Sequence, residues 1–277
     1  MLKKTAFFGF VLALSLSSCD NAQDITPTST NEIAELTTTS KDIVSLEYLS
    51  NDLEELVDAL IETRGPGDCP EITFDNPQGE FPNTLTIDFG DSCEYNGHTR
   101  SGKIIVYQTA KMNEAGASRT TTYENYFTDG IEHTGTKVIT NAGVDENGNV
   151  TFTRYADIEL VFPNGQTVSW TAEYIKVQIA GAETDSRMDD VFEISGSTNG
   201  INRMGHQFSS TIIENLVRRR NCRWITDGMI TFEVITDEGT KSRTINYGFP
   251  NEECDNLAEV TFGNGTVKII RIHKRWW

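Results

Sequence analysis

Leu16, Ser17, Ser18 and Cys19 put a thiol behind two small residues, at the end of an apolar run from Ala6 to Leu16 that follows Lys3 and Lys4. That order is the pattern of a bacterial lipobox. Small side chains fit the processing site, and the cysteine sulfur receives diacylglycerol and becomes the first mature residue. Residues 1–18 are therefore expected to be a lipoprotein signal peptide, with Cys19 as the lipidated residue. Two or three acyl chains, at about 0.8 kcal/mol per buried methylene, moor a soluble domain where one chain would not. The apolar run itself covers about 16 Å as a helix, roughly half of a hydrocarbon core, which disfavours a permanent membrane span.

Four cysteines remain, and three pairings of them are open. An internal echo favours one. Thr86-Ile87-Asp88-Phe89-Gly90 followed by Cys93 is matched by Thr244-Ile245-Asn246-Tyr247-Gly248 followed by Cys254, and each unit carries an earlier cysteine, Cys69 or Cys222. The repeat predicts Cys69 with Cys93 and Cys222 with Cys254, which suits an exported chain. A zinc site is the weaker alternative, because the short C-x-x-C spacing is absent.

Catalytic chemistry is harder to find. His98, His133, His206 and His273 stand in no metal-ligand or triad spacing, and there is no Gly-x-Ser-x-Gly elbow. Asp88, Asp91, Asp189, Asp190 and Glu193 could supply a carboxylate pair for glycoside hydrolysis, but their separation in space would decide that. Asp145, Asn147, Gly148 and Asn149 superficially follow a calcium loop, yet glycine falls at the fourth position and Ala156 at the twelfth, so a hairpin turn explains them better. Asp185, Asp189 and Asp190 form a second acidic loop, for which solvation is the default and a structural cation the alternative. The chain is expected to be no enzyme and to need no cofactor or metal. Candidate ligand contacts are the basic spot Arg218, Arg219 and Arg220 and the tail pair Trp276 and Trp277. Such arginines could meet an anion, although pairing with the chain's own carboxylates is the commoner outcome at this charge balance.

The elements that would carry these groups follow from periodicity. Residues 19–41 are rich in Thr, Ser, Asn and Asp and are expected to form a flexible tether. Over 42–64, Leu46, Leu49, Leu53, Leu56 and Leu60 recur at three and four, which predicts an amphipathic helix laid on the following domain, with Asn51 and Glu54 as a capping pair for a second helix start if the run is broken. From 65 to 277 the period drops to two, as in Leu85, Ile87 and Phe89 or Ile158, Leu160 and Phe162. Five Asn-Gly pairs at Asn96, Asn147, Asn164, Asn199 and Asn264, with Asp129-Gly130 and Asp227-Gly228, supply the positive φ of type I′ hairpins. Residues 150–162 and 167–179 should form one long twisted ribbon, and the slip of apolar phase near Tyr174 and Ile175 predicts a bulge there. The fold expected is mainly β: an antiparallel meander or sandwich-like domain of two related units, preceded by one helix.

The 277 residues carry 23 Lys and Arg against 41 Asp and Glu, a formal charge of −18. Loss of the two lysines of the signal peptide deepens it. Such a body repels phosphate backbones, so no nucleic-acid partner is expected. Taken together, the lipobox, the Thr-rich tether and the Asp88-Phe89-Gly90 to Cys93 and Tyr247-Gly248 to Cys254-Asp255-Asn256 patches resemble a group of cell-envelope lipoproteins common in Bacteroidetes, over most of residues 66–272. The resemblance implies a lipid-anchored place at the outer membrane, periplasmic or surface-exposed, and brings no activity with it. The function expected is a non-catalytic binding or structural module, held to a membrane by its lipid and facing a glycan or an envelope protein; the alternative is a carbohydrate-active hydrolase using a carboxylate pair.

Overall fold

The computed structural model describes residues 30–63, 69–184, 186–249 and 253–272, and within its helix the side chains of 37–61. The signal peptide, Cys19, Asp185, His273, Trp276 and Trp277 lie outside the described residues. One helix, α1 (Thr30–Thr63), precedes fourteen strands: β1 (Glu71–Phe74), β2 (Asn83–Asp88), β3 (Cys93–Tyr95), β4 (His98–Gln108), β5 (Ser118–Thr128), β6 (Ile131–Val144), β7 (Val150–Val161), β8 (Thr167–Ala180), β9 (Val191–Ile201), β10 (Gln207–Arg219), β11 (Ile225–Thr236), β12 (Gly239–Asn246), β13 (Leu257–Phe262) and β14 (Val267–Arg271). They form one antiparallel sheet in which each strand pairs with its sequence neighbours, except that β3 pairs β4 off the main path, leaving β2 beside β4. The meander expected from the turn signals is the fold found.

The turns divide by mechanism. Asn96-Gly97 and Asp129-Gly130 have both residues at positive φ, 54° and 78° and 52° and 82°, as a type I′ turn requires. At Asn164-Gly165 and Asn264-Gly265 only the glycine is left-handed; the asparagine side chains instead accept the backbone N–H of Gln166 at 3.0 Å and Thr266 at 2.9 Å, so these are longer loops. Two expected turns are strand interior: Asn199-Gly200 lies in β9 and Asp227-Gly228 in β11.

The sheet is curled around α1. Arg119 of β5 and Arg220 just beyond β10 both touch the Asp58 carboxylate, at 2.6 and 2.9 Å. In a flat sheet five strand spacings, about 24 Å, would separate them. Glycines permit the curl by letting strand backbones close in. At Gly196 in β9 the chain takes φ 136°, and a Cβ there would run into the carbonyl oxygen of Glu173 across the ladder.

The helix begins at Thr30, so it takes in residues 30–41, the greater part of the expected tether, and it runs unbroken through Asn51, which caps nothing. An amphipathic pattern ordinarily turns its polar stripe to water. Here the curl buries both sides. Leu53, Leu56, Val57 and Leu60 pack with Leu85, Ile87, Ile104 and Val106 in one core, and Ile43, Val44, Leu46 and Leu49 join the larger core of β7–β14. Each such side chain contributes about 1.5–3 kcal/mol. The bulge expected at Tyr174 and Ile175 is absent: β7 and β8 stay in register from Thr151↔Val177 to Val161↔Thr167. The strand keeps its period of two, and what changes is the chemistry of its inner face, from Val168, Trp170 and Ala172 to Tyr174, Lys176 and Gln178.

The two echoing segments share local geometry inside this single sheet. Phe89 N–H donates to the carbonyl of Gly102 at 2.9 Å and Tyr247 N–H to that of Gly228 at 3.0 Å. Nearby, Cys69 and Cys93 have Cα atoms 6.1 Å apart and Cys222 and Cys254 5.5 Å apart, both bridged. The partner strand follows in the first unit, β4 after β2, and precedes in the second, β11 before β12.

Candidate functional site: a charged cavity under the β8–β9 loop

On α1, Glu47, Asn51, Glu54 and Asp58 recur at four, three and four and so form one stripe. The strands facing it present cations where their inward phase would otherwise be apolar. Arg154 is in phase with Ala156, Ile158 and Leu160 of β7; Lys176 follows Trp170, Ala172 and Tyr174 of β8. Lys137 of β6, Arg154 and Lys176 converge on Glu54 at 3.1, 3.4 and 2.5 Å. Asn51 accepts from Arg154 at 3.1 Å, and Tyr174 donates to Glu47. Burial alone would raise the Glu54 carboxyl, but Lys176, Lys137 and Arg154 outweigh it and hold the group well below its ordinary range. The same burial pushes the Lys137 ammonium down to about 8 although Glu54 opposes it.

Asp58, one turn on, is shared by Arg119, Arg220 and, at 3.8 Å, Arg187. Burial again acts upward, and Arg119 with Arg220 brings the carboxyl below its usual value. Above Asp58 and Lys176 opens a cavity of about 430 Å³, covered by the loop that joins β8 to β9. Its charged floor is Glu54, Asp58, Arg119, Lys176 and Arg220; its walls are apolar, with Ile139, Val150, Phe152 and Phe192; and its mouth is formed by exposed Asn113, Ala182, Ser186 and Arg187. Asp190 closes one side, where its carboxylate accepts from Gln178 at 2.8 Å. Burial raises the Asp190 carboxyl, against the pull of Arg220 and Arg187.

The basic spot chosen from sequence is thus split by strand alternation. Arg218 points inward and pairs with Glu55, Arg219 contributes its carbonyl to Arg218 at 2.5 Å, and Arg220 alone reaches the cavity. The acidic candidates are dispersed. Asp88 pairs with Lys103 at 3.0 Å, Asp189 accepts from the Thr184 hydroxyl at 3.0 Å, and Glu193 accepts from Asn215 at 2.8 Å, so of the five only Asp190 lines the cavity. His98 is fully buried between Asp129, 2.7 Å from its Nδ1, and Tyr48, 3.3 Å from its Nε2. His133 is likewise enclosed, and burial with help from Arg100 pushes it down to about 3, so it is neutral. Among the described residues no group of three or more His, Cys, Asp or Glu is placed to hold a metal ion.

Sequence reasoning missed Arg119, Lys137, Arg154, Lys176, Glu54 and Asp58. For Lys137, Arg154 and Lys176 the signal was present as cations in the inward phase of three successive strands, opposite an acidic stripe on the helix. No protein-family model, curated protein or solved structure matches the chain.

Proposed function

We propose that the chain is a lipid-anchored envelope protein, moored through Cys19, whose curled sheet is a non-catalytic binding module with its ligand site under the β8–β9 loop. The cavity carries this reading. It has the size of a small-molecule site, about 300–1,000 Å³, apolar walls, and polar groups fixed from below by ion pairs on rigid elements. The anchor is supported by the lipobox order of Leu16 to Cys19, and the two bridged cysteine pairs fit an oxidising compartment. No helix of the described residues is long and apolar enough to cross a membrane.

A glycoside hydrolase needs one carboxyl held protonated beside a second that is not. Glu54 and Asp58 are both held low by their cations; Asp190, the raised carboxyl of the cavity, is engaged by Gln178 at 2.8 Å; and among the described residues no Trp or Tyr lines the cavity as a sugar platform, which favours binding. Metabolic acyl labelling of the full chain tests the anchor: label should enter the membrane fraction on the wild-type protein and vanish with Cys19→Ala. An unlabelled, freely dissolved wild-type chain would refute it.

A further inference from the structure

The cavity is lined by the cations Arg119, Lys176, Arg187 and Arg220 and by the carboxylates Glu54, Asp58 and Asp190. Two arginines of the floor also have donors to spare. Arg119 is 7% exposed; its Nε donates to Gln108 at 3.1 Å and its Nη1 to Asp58, and its Nη2 is left without a partner among the described residues. Arg220 gives only its Nη2, to Asp58. A guanidinium that is held in place by one carboxylate and keeps an unused N–H edge is preorganised for a second oxyanion, since the ordering of its side chain is already paid for. Above these donors the walls are the apolar side chains of Ile139, Val150, Phe152 and Phe192.

We infer that this cavity binds a small amphipathic anion, a carboxylate or phosphate head on an apolar body, with the head on Arg119 and Arg220 and the body against Phe152 and Phe192. The inference rests on the binding reading above and adds the chemistry of the ligand. Asp190 stands beside the head site as an opposing charge, which gives the idea a signed test: removing that carboxylate strengthens anion binding, whereas removing a cation weakens it.

The experiment is calorimetric titration of the full chain carrying Cys19→Ala with octanoate, octyl phosphate, octan-1-ol and octylammonium. The two anions should bind at least about tenfold more tightly than the alcohol, and the cation least of all, because a charge-assisted hydrogen bond accounts for about a ten- to hundredfold difference. Arg220→Gln should weaken the anions about tenfold or more. Arg187→Gln, on the exposed loop, should weaken them less without disturbing the fold. Asp190→Asn, which keeps an oxygen for Gln178, should tighten them. A preference between octanoate and octyl phosphate assigns the head group. Octan-1-ol binding as tightly as the anions, with no response to Asp190→Asn or Arg187→Gln, would overturn the anion inference while leaving a binding cavity; no binding by any of the four would overturn the cavity reading as well.

Discussion

Glu54→Gln tests whether the buried ion pairs hold the helix in the sheet. The substitution keeps the shape of the side chain and removes the charge on which Lys137, Arg154 and Lys176 converge. Breaking one side of a buried pair costs about 3–5 kcal/mol, because the partner charges stay desolvated. The cost should depend on pH. Lys137 already titrates near 8 in the folded protein against an ordinary 10.5, a penalty on its buried charge of about 3 kcal/mol. Since the unfolded chain binds that proton more tightly, this penalty is present in full below pH 8 and fades as pH rises from 8 towards 10.5. At pH 9 Lys137 is mostly neutral in the folded wild type, so Glu54 has one fewer charge to compensate and its loss matters less. At the acid end the depressed carboxyl works the other way: stability from Glu54 is present above about 4.5 and is lost as pH falls through its folded value. The assay is urea unfolding followed by tryptophan fluorescence, with Trp224 stacked on the helix residue Tyr48 at 4.9 Å as a reporter of docking. Expected are a loss of about 3–5 kcal/mol at pH 7, or roughly 6–20 °C in Tm, a smaller loss at pH 9, and partial recovery in Glu54→Gln with Lys137→Met. A loss under about 1 kcal/mol, equal at both pH values, would refute the argument that these ion pairs seat the helix.

The curl has its own test. Gly196→Ala should cost at least about 2 kcal/mol by denaturation, because φ 136° and the Glu173 carbonyl oppose any Cβ, whereas Gly205→Ala, left-handed but in open space, should cost only about 1 kcal/mol; equal losses would mean that close strand approach at Gly196 is unimportant. Intact mass of the chain without reductant should show the four cysteines Cys69, Cys93, Cys222 and Cys254 as two bridges, with Cys69–Cys93 and Cys222–Cys254 peptides after digestion. Replacing Cys222 and Cys254 by serine should cost about 3–4 kcal/mol for a loop closed over 32 residues.

Much of the architecture was legible along the chain. The period of two marks the strands because their inner and outer faces differ in polarity, and the Gly-containing turns mark the hairpins that make a meander. Errors fell where polarity and position part company. Asn199-Gly200 has the composition of a turn but sits mid-strand, where the close approach of the Phe208 ring and the Ser169 carbonyl calls for a residue without Cβ. Thr30 to Lys41 has the composition of a tether but is helical, with Thr39 and Ser40 fully buried and Thr39 accepting from Asn202 at 2.8 Å. Lys176 breaks the apolar pattern of β8 without breaking the strand.

By itself the sequence determined what depends on neighbours in the chain: the antiparallel order, one helix before it and, through the echo, the cysteine partners. Only the tertiary structure decided that both faces of the helix are buried, that Arg220 rather than Arg219 meets the cavity, and that Arg119 and Arg220, about a hundred residues apart, share one carboxylate. The reason is that charge complementarity between an element and a curled sheet is a property of closure. Nothing local records how far β5 and β10 will approach, and that distance brings Arg119 and Arg220 to one carboxylate.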